Sequence, residues 1–175
     1  MAKTTDPLKS SFSTEGVNDK LKGTLIIFTY SAVVLSLFLL VPKIFSFFTY
    51  DRGIFGFFDL IISPVYQIIA WGPLGGLIFY FLYDPVICPY LKKVPIWGKS
   101  IFSLYFVPSL IMYAIFGPLA ILGGVLVSLL NLLTLDVSGS LMIFLGVIIQ
   151  LLFGLAGSYI YAKMLDSKLS QYYTW

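Results

Sequence analysis

The chain has no histidine, one cysteine (Cys88) in 175 residues, and charge on only 11% of its positions. Each scarcity excludes a class of function. Without histidine, the commonest ligand for zinc, copper, haem and non-haem iron is missing. A lone cysteine forms no intramolecular disulfide. A metal or redox centre held by this chain alone is therefore not expected, and no cofactor is assigned. Sequence signatures of catalysis are missing too: there is no GxSxG elbow, no phosphate-cradling glycine loop beside a lysine and no adjacent carboxylate pair. The expectation is a chain that is not an enzyme and has no catalytic residues. Its net charge of +3 comes from basic residues scattered among short hydrophilic segments, so no nucleic-acid partner is expected. Neither Asn18 nor Asn131 opens an Asn-x-Ser/Thr sequon.

What the chain has instead is apolar length. From Ile101 to Leu135 it runs thirty-five residues without Asp, Glu, Lys or Arg. About 20 apolar residues rising 1.5 Å each suffice to cross a hydrocarbon core about 30 Å thick. Hydrophobic residues make up 59% of the chain, and the mean hydropathy is +0.96. These values belong to lipid-embedded proteins, because soluble domains carry about 25% charged residues. The fold class read from this is all-α: a polytopic membrane protein, a bundle of four transmembrane helices with Gly/Pro kinks.

The spans are placed at about 24–41, 60–83, 101–133 and 141–162. Pro42 and Lys43 are expected to end the first, with the lysine stem reaching toward headgroups. The aromatic stretch IFSFFTYDRGIFGFF reads as a turn lying in the interface, and DPVICPYLKKVPIWGKS as a hydrophilic turn excluded from hydrocarbon by its prolines and lysines. Residues 1–23 read as a flexible polar tail. They carry Asp6, Glu15 and Asp19 and no Arg, and the apolar run starts too late for a cleaved leader. Residues 165–175 read as a short aromatic tail. With the N-terminus inside, nine of the eleven basic residues fall on the inner side and two outside. The positive-inside rule then places both termini on the cytoplasmic face or its organellar equivalent.

Helices in lipid gain little from burying one another's apolar surface, so close packing depends on small residues and interhelical hydrogen bonds. Gly146, Gln150, Gly154, Ser158 and Ala162 recur every four residues in the fourth span; Ala120, Gly124 and Ser128 do so in the third. Gly72 and Gly76 form a GxxxG in the second. These seams serve packing within the bundle or docking of another subunit, and both use the same contact physics.

Two Gly-Pro-Leu steps, at Gly72-Pro73 and Gly117-Pro118, stand in mid-span, each preceded by another proline, Pro64 or Pro108. Proline deletes a helical N–H bond, and the freed carbonyl needs a neighbour or a cavity. Broken helices also build the sites of secondary transporters, but carriers normally need intramembrane ionisable groups. The only candidate is Asp59. At the mouth of a span starting near Leu60 it is a helix cap; with a start at Ile54 it lies deeper and becomes a site for a proton, an ion or a partner lysine, with Gln67 and Gln150 as nearest polar company, each of which otherwise reads as an interhelical hydrogen-bonding residue. Cys88 is read as a lone buried or interfacial thiol or an acylation site, and the terminal SQYYTW as a headgroup anchor or a docking strap.

The functional expectation is a non-catalytic membrane subunit that packs against other integral membrane subunits, or membrane lipids, of a larger assembly of the energy-transducing or transport kind. The alternative is a homo-oligomeric channel or small-solute or ion transporter using the Gly-Pro breaks and Asp59.

Overall fold

The computed structural model describes residues 14–49, 53–94, 100–133 and 137–173. The aspartate and arginine of the first connection, and the segments 95–99 and 134–136, lie outside the described residues. So do residues 1–13 of the expected polar tail. What is described is helical: α1 (Thr14–Thr49), α2 (Gly53–Ile69), a π-helical turn (Ala70–Leu74), α3 (Gly75–Leu82), a second π turn (Tyr83–Ile87), α4 (Cys88–Lys93), α5 (Ile101–Leu133) and α6 (Val137–Leu169). In hydrocarbon every backbone polar group must be satisfied inside its own segment, and continuous helix does that. Four stretches are long and apolar enough to cross a membrane: Asn18–Phe48, Gly56–Lys93, Ile101–Leu133 and Val137–Leu169. The protein is an all-α, multi-pass membrane protein.

The helices overrun the expected spans. α1 passes through Pro42 to Thr49. Proline removes one hydrogen bond, which a membrane helix tolerates, and the residues after it (IFSFF) have no other breaker. The aromatic stretch expected as a turn is therefore mostly the end of α1 and the start of α2. At the other end α1 extends back to Thr14 through Asp19, Lys20 and Lys22. No proline interrupts those turns. The Trp71-Gly-Pro-Leu step falls in a π turn, and Asp84-Pro85 in the second one. Pro108 and Pro118, by contrast, sit within an unbroken α5.

Packing follows the small residues. α1 lies between α2, the first π turn and α3 on one side and α6 on the other, and α5 lies along α6. The four spans thus form an open row in the order second, first, fourth, third. Gly72 seats on Thr29 and Ala32 of α1, and Gly76 on Phe28 and Leu25. A Cβ on Gly72 would come within 3.0 Å of the Thr29 backbone. Gly157 receives Leu35 and Phe38 of α1, while Gly124 receives Val147 and Gly154 lies under the Tyr113 hydroxyl.

The row closes at the end where α1 begins and α6 finishes. Phe28, Phe79, Tyr83, Ile101, Tyr161, Leu165, Leu169 and Tyr173 form a buried cluster there. Phe79 stacks at an angle on Phe28, and the Tyr173 ring meets it edge-on at 5.1 Å. The Tyr173 hydroxyl and Thr24 Oγ1 share a hydrogen bond of 2.8 Å; Thr24 itself donates to the Lys20 carbonyl, which leaves Tyr173 as the donor to Thr24. The Lys20 ammonium lies 4.2 Å from the centre of the Tyr173 ring. Ser100 caps α5, its hydroxyl accepting the Ser103 N–H at 3.1 Å, and Asp166 accepts the Phe102 N–H at 3.2 Å. Both acceptors meet the positive end of the α5 dipole.

Candidate functional site: a polar cavity between three helices

At the far end, away from the aromatic cluster, a cavity of about 320 Å³ opens between α1, α2 and α6. Lys43 on α1 and Asp59 on α2 face each other across it, the ammonium donating to the two carboxylate oxygens at 3.3 and 3.2 Å. Gln67 on α2, Gln150 on α6 and Ser46 on α1 complete the polar lining. Pro42, Phe47, Gly56 and Leu60 supply the rest of the wall.

Proline places a further acceptor here. Pro64 has no N–H to give to the carbonyl four residues earlier, and that carbonyl belongs to Leu60, a lining residue. Pro42, also on the wall, withholds a donor from the Phe38 carbonyl in the same way. The amides of Gln67 and Gln150 are not hydrogen-bonded to another described residue. Gln67 is half-buried and Gln150 exposed, so both amides stay accessible to a polar occupant of the cavity.

The geometry separates the two readings of Asp59. α2 starts at Gly53, which puts Asp59 in its second turn, where it caps nothing. Its partner is Lys43, with side-chain exposures of 55% for the aspartate and 27% for the lysine. Gln67 and Gln150, the polar company that a deeper Asp59 would have, line the same cavity as Asp59, and no bond between the two glutamines or across helices from either is seen among the described residues. A first span that ends at Pro42 hides Lys43 as the partner of Asp59, because α1 runs on to Thr49. A helix carried on for two more turns would have brought Lys43 and Asp59 to matching depth on either side of the connection.

The other candidates lie on contacts within the chain. Gly72 and Gly76 hold α1; Gly124 and Gly154 lie in the α5–α6 contact, and Gly146 faces Phe45 of α1. Ser158 lies beside the Tyr113 hydroxyl of α5. Ser128 and Ser140 exchange two bonds across α5 and α6, each hydroxyl donating to the other's carbonyl at 2.9 and 2.8 Å. Ala120 is exposed, and a Cβ on nearby Gly123 would meet nothing within 4 Å. The broken helix at Trp71 offers little to a ligand, because its carbonyl accepts the Tyr161 hydroxyl at 2.9 Å. Tyr161 and Trp71 border a smaller, mostly apolar cavity of about 200 Å³ with Tyr105, Pro108 and Ser158. Tyr173 of the terminal aromatic tail is 3% exposed against its own helices, and Thr174 and Trp175 lie outside the described residues.

No protein-family model, no curated protein and no solved structure matches this chain.

Proposed function

We propose that the chain is a non-catalytic subunit of a larger membrane assembly, with both termini on the cytoplasmic or equivalent organellar side, where it packs against and stabilises other subunits or ordered lipid. The observation that carries this reading is a mismatch of length inside one row of helices. Between Lys22 and Lys43, α1 offers about 20 uncharged residues, about 30 Å, which matches a hydrocarbon core. The uncharged run of α6 ahead of Lys163 covers about 39 Å, and α5 covers about 50 Å.

The helices are in register at known points. Gly146 of α6 faces Phe45, close to Lys43, and Gly124 of α5 faces Val147. Each helix continues nine residues past that level, about 14 Å, to Val137 and Leu133. With the inner charges at one boundary and the Lys43–Asp59 pair at the other, the tip of the α5–α6 hairpin stands clear of the hydrocarbon. That tip exposes Leu126, Leu130, Leu133, Val137 and Leu141, Leu133 by 81%. A bare aliphatic tip in water is unstable, and a neighbouring subunit's apolar surface supplies the cover.

The test is site-specific photo-crosslinking in native membranes from Leu126, Leu130 and Leu133, compared with Ile78 and Phe81 on the opposite edge of the row. Crosslinks from the tip to a small, constant set of membrane proteins that also co-purify in stoichiometric amounts are expected. Lipid adducts alone from every position would overturn the reading.

The polar cavity favours a second reading, a homo-oligomeric channel or carrier with Asp59 at its entrance. Reconstituted flux through the isolated protein, lost in Asp59→Asn, would support it. A silent isolated protein counts against it.

A further inference from the structure

We infer that the cavity between α1, α2 and α6 binds a zwitterion that carries a phosphate and a primary ammonium, the chemistry of a phosphoethanolamine headgroup. The inference does not rest on the docking proposal, since the cavity and the hairpin tip are separate surfaces.

Three observations converge. The first is charge. Lys43 and Asp59 form a neutral pair at 3.2 Å, so a lone anion or a lone cation entering the cavity would leave one member of the pair opposed by its own sign. A zwitterion satisfies both: its phosphate replaces Asp59 on the Lys43 ammonium, and its ammonium replaces Lys43 on the carboxylate. The second is unspent hydrogen-bonding capacity. Gln67 and Gln150 bring accessible amides from two helices that bond to no other described residue, and Leu60, whose carbonyl Pro64 deprives of its helical donor, is part of the wall. Amide N–H groups serve phosphate oxygens; amide and backbone oxygens serve an ammonium.

The third is size and access. A volume of about 320 Å³ lies at the low end of small-ligand pockets, enough for a headgroup and too little for acyl chains. Those chains need an open side, and Asp59, 55% exposed, marks one. Simple stapling of α1 to α2 accounts for the ion pair. It gives no role to the cavity beside it or to an amide contributed by α6. A primary ammonium donates three hydrogen bonds to Asp59 and the carbonyls, whereas a trimethylated one donates none, so ethanolamine is preferred to choline.

The experiment uses the full chain in mild detergent with native mass spectrometry. The probes are phosphatidylethanolamine, phosphatidylcholine and phosphatidylglycerol, with water-soluble phosphoethanolamine as competitor. One phosphatidylethanolamine should be retained per chain at least about tenfold better than phosphatidylglycerol, as expected for one charge-assisted hydrogen-bonding end gained or lost. In Asp59→Asn the preference should turn toward the anionic phosphatidylglycerol, because Lys43 then has no carboxylate partner among the described residues. The reversed pair, Lys43→Asp with Asp59→Lys, keeps the staple and should restore the zwitterion preference. Displacement by soluble phosphoethanolamine would confirm the zwitterion chemistry and assign an aqueous source; resistance to it assigns the lipid. Equal retention of all three lipids by the wild type, or a selectivity that Asp59→Asn leaves unchanged, would overturn the inference and leave the pair a staple.

Discussion

The two ends of this helical row are built from different materials and behave as opposites. At the end that joins the start of α1 to the finish of α6, rings interlock: Phe79 is 1% exposed, and Tyr173, Tyr83, Phe28 and Tyr105 surround it. At the far end aliphatic side chains of α5 and α6 point outward, and the space between α1, α2 and α6 is a polar cavity rather than a core. Lipid explains the difference. Leucine against leucine is worth little more than leucine against an acyl chain. A membrane row therefore closes only where glycine seats, ring geometry or hydrogen bonds add what apolar contact cannot. The closed end has such devices in number. Away from it, the far end has, among the described residues, the serine exchange and the Lys43–Asp59 pair, and stays open to lipid, ligand or partner.

The largest test of that contrast sets two glycines against each other. Gly72→Leu sets its Cβ only 3.0 Å from the Thr29 Cα, backbone that cannot yield as a flexible side chain would, and should cost about 3 kcal/mol. Gly123→Leu enters open space and should change stability by less than about 0.5 kcal/mol. Reversible unfolding in detergent, followed by steric trapping or thermal melts, reads both. Equal losses would show that the α5 outer face is already packed within the chain. A stable Gly123→Leu that no longer assembles with its neighbours would instead locate the docking face.

Next in size is Phe79→Ala. It removes the ring on which four other aromatics converge, and should destabilise by about 2 kcal/mol through lost dispersion contacts. Phe116→Ala, on an exposed stretch of α5, should be near neutral. Similar losses at the two positions would remove the distinction between a closed end and an open one.

How far the sequence foresaw this follows from what each signal depends on. Span number came from uncharged length, a property of composition that packing does not alter. The small residues at Gly72, Gly76, Gly124 and Gly154 were legible for the same local reason: their four-residue spacing puts them on one face whatever the face then meets. Helix ends were not legible, since Pro42 and the aromatic-rich turn around it read as boundaries by soluble-protein rules. In lipid, backbone satisfaction outweighs a single proline. That error hid Lys43 as the partner of Asp59. The row order was equally out of reach, because nothing local in α5 says that it will touch α6 and not α2. The aromatic tail was open between anchoring and docking, and the structure puts Tyr173 on its own helices through contacts with Thr24 and Lys20, about 150 residues away in sequence.

Tyr173→Phe isolates the polar part of the closed end. The ring and its packing remain, the hydrogen bond to Thr24 is lost, and about 1 kcal/mol should go with it. Burial raises the Tyr173 hydroxyl above the ordinary tyrosine value of 10.0, against the lowering effect of the Thr24 bond. An unfolded Tyr173 thus ionises first as pH rises, and its contribution is complete below pH 10 and lost above it. Thermal melts at pH 8 and pH 11 should show a steeper alkaline loss in the wild type than in Tyr173→Phe. Parallel losses would place the sensitivity at another tyrosine.

The smallest effect belongs to the far end, and it tests whether that end has any internal order of its own. Ser128 and Ser140 each donate to the other's carbonyl across the α5–α6 contact. A serine hydroxyl on the projecting tip has alternatives, the carbonyl one turn back on its own helix or water, so the gain over a separated pair is small. A double-mutant cycle with Ser128→Ala and Ser140→Ala should give a coupling of about 0.5 kcal/mol, the low end for an intramolecular hydrogen bond that competes with water. The two bonds are geometrically linked, because each needs the helices at the same separation. Either single mutant should therefore lose more than half of the double mutant's total. Strict additivity would mean that Gly124 against Val147 alone sets the helix spacing, and that the serines merely occupy it.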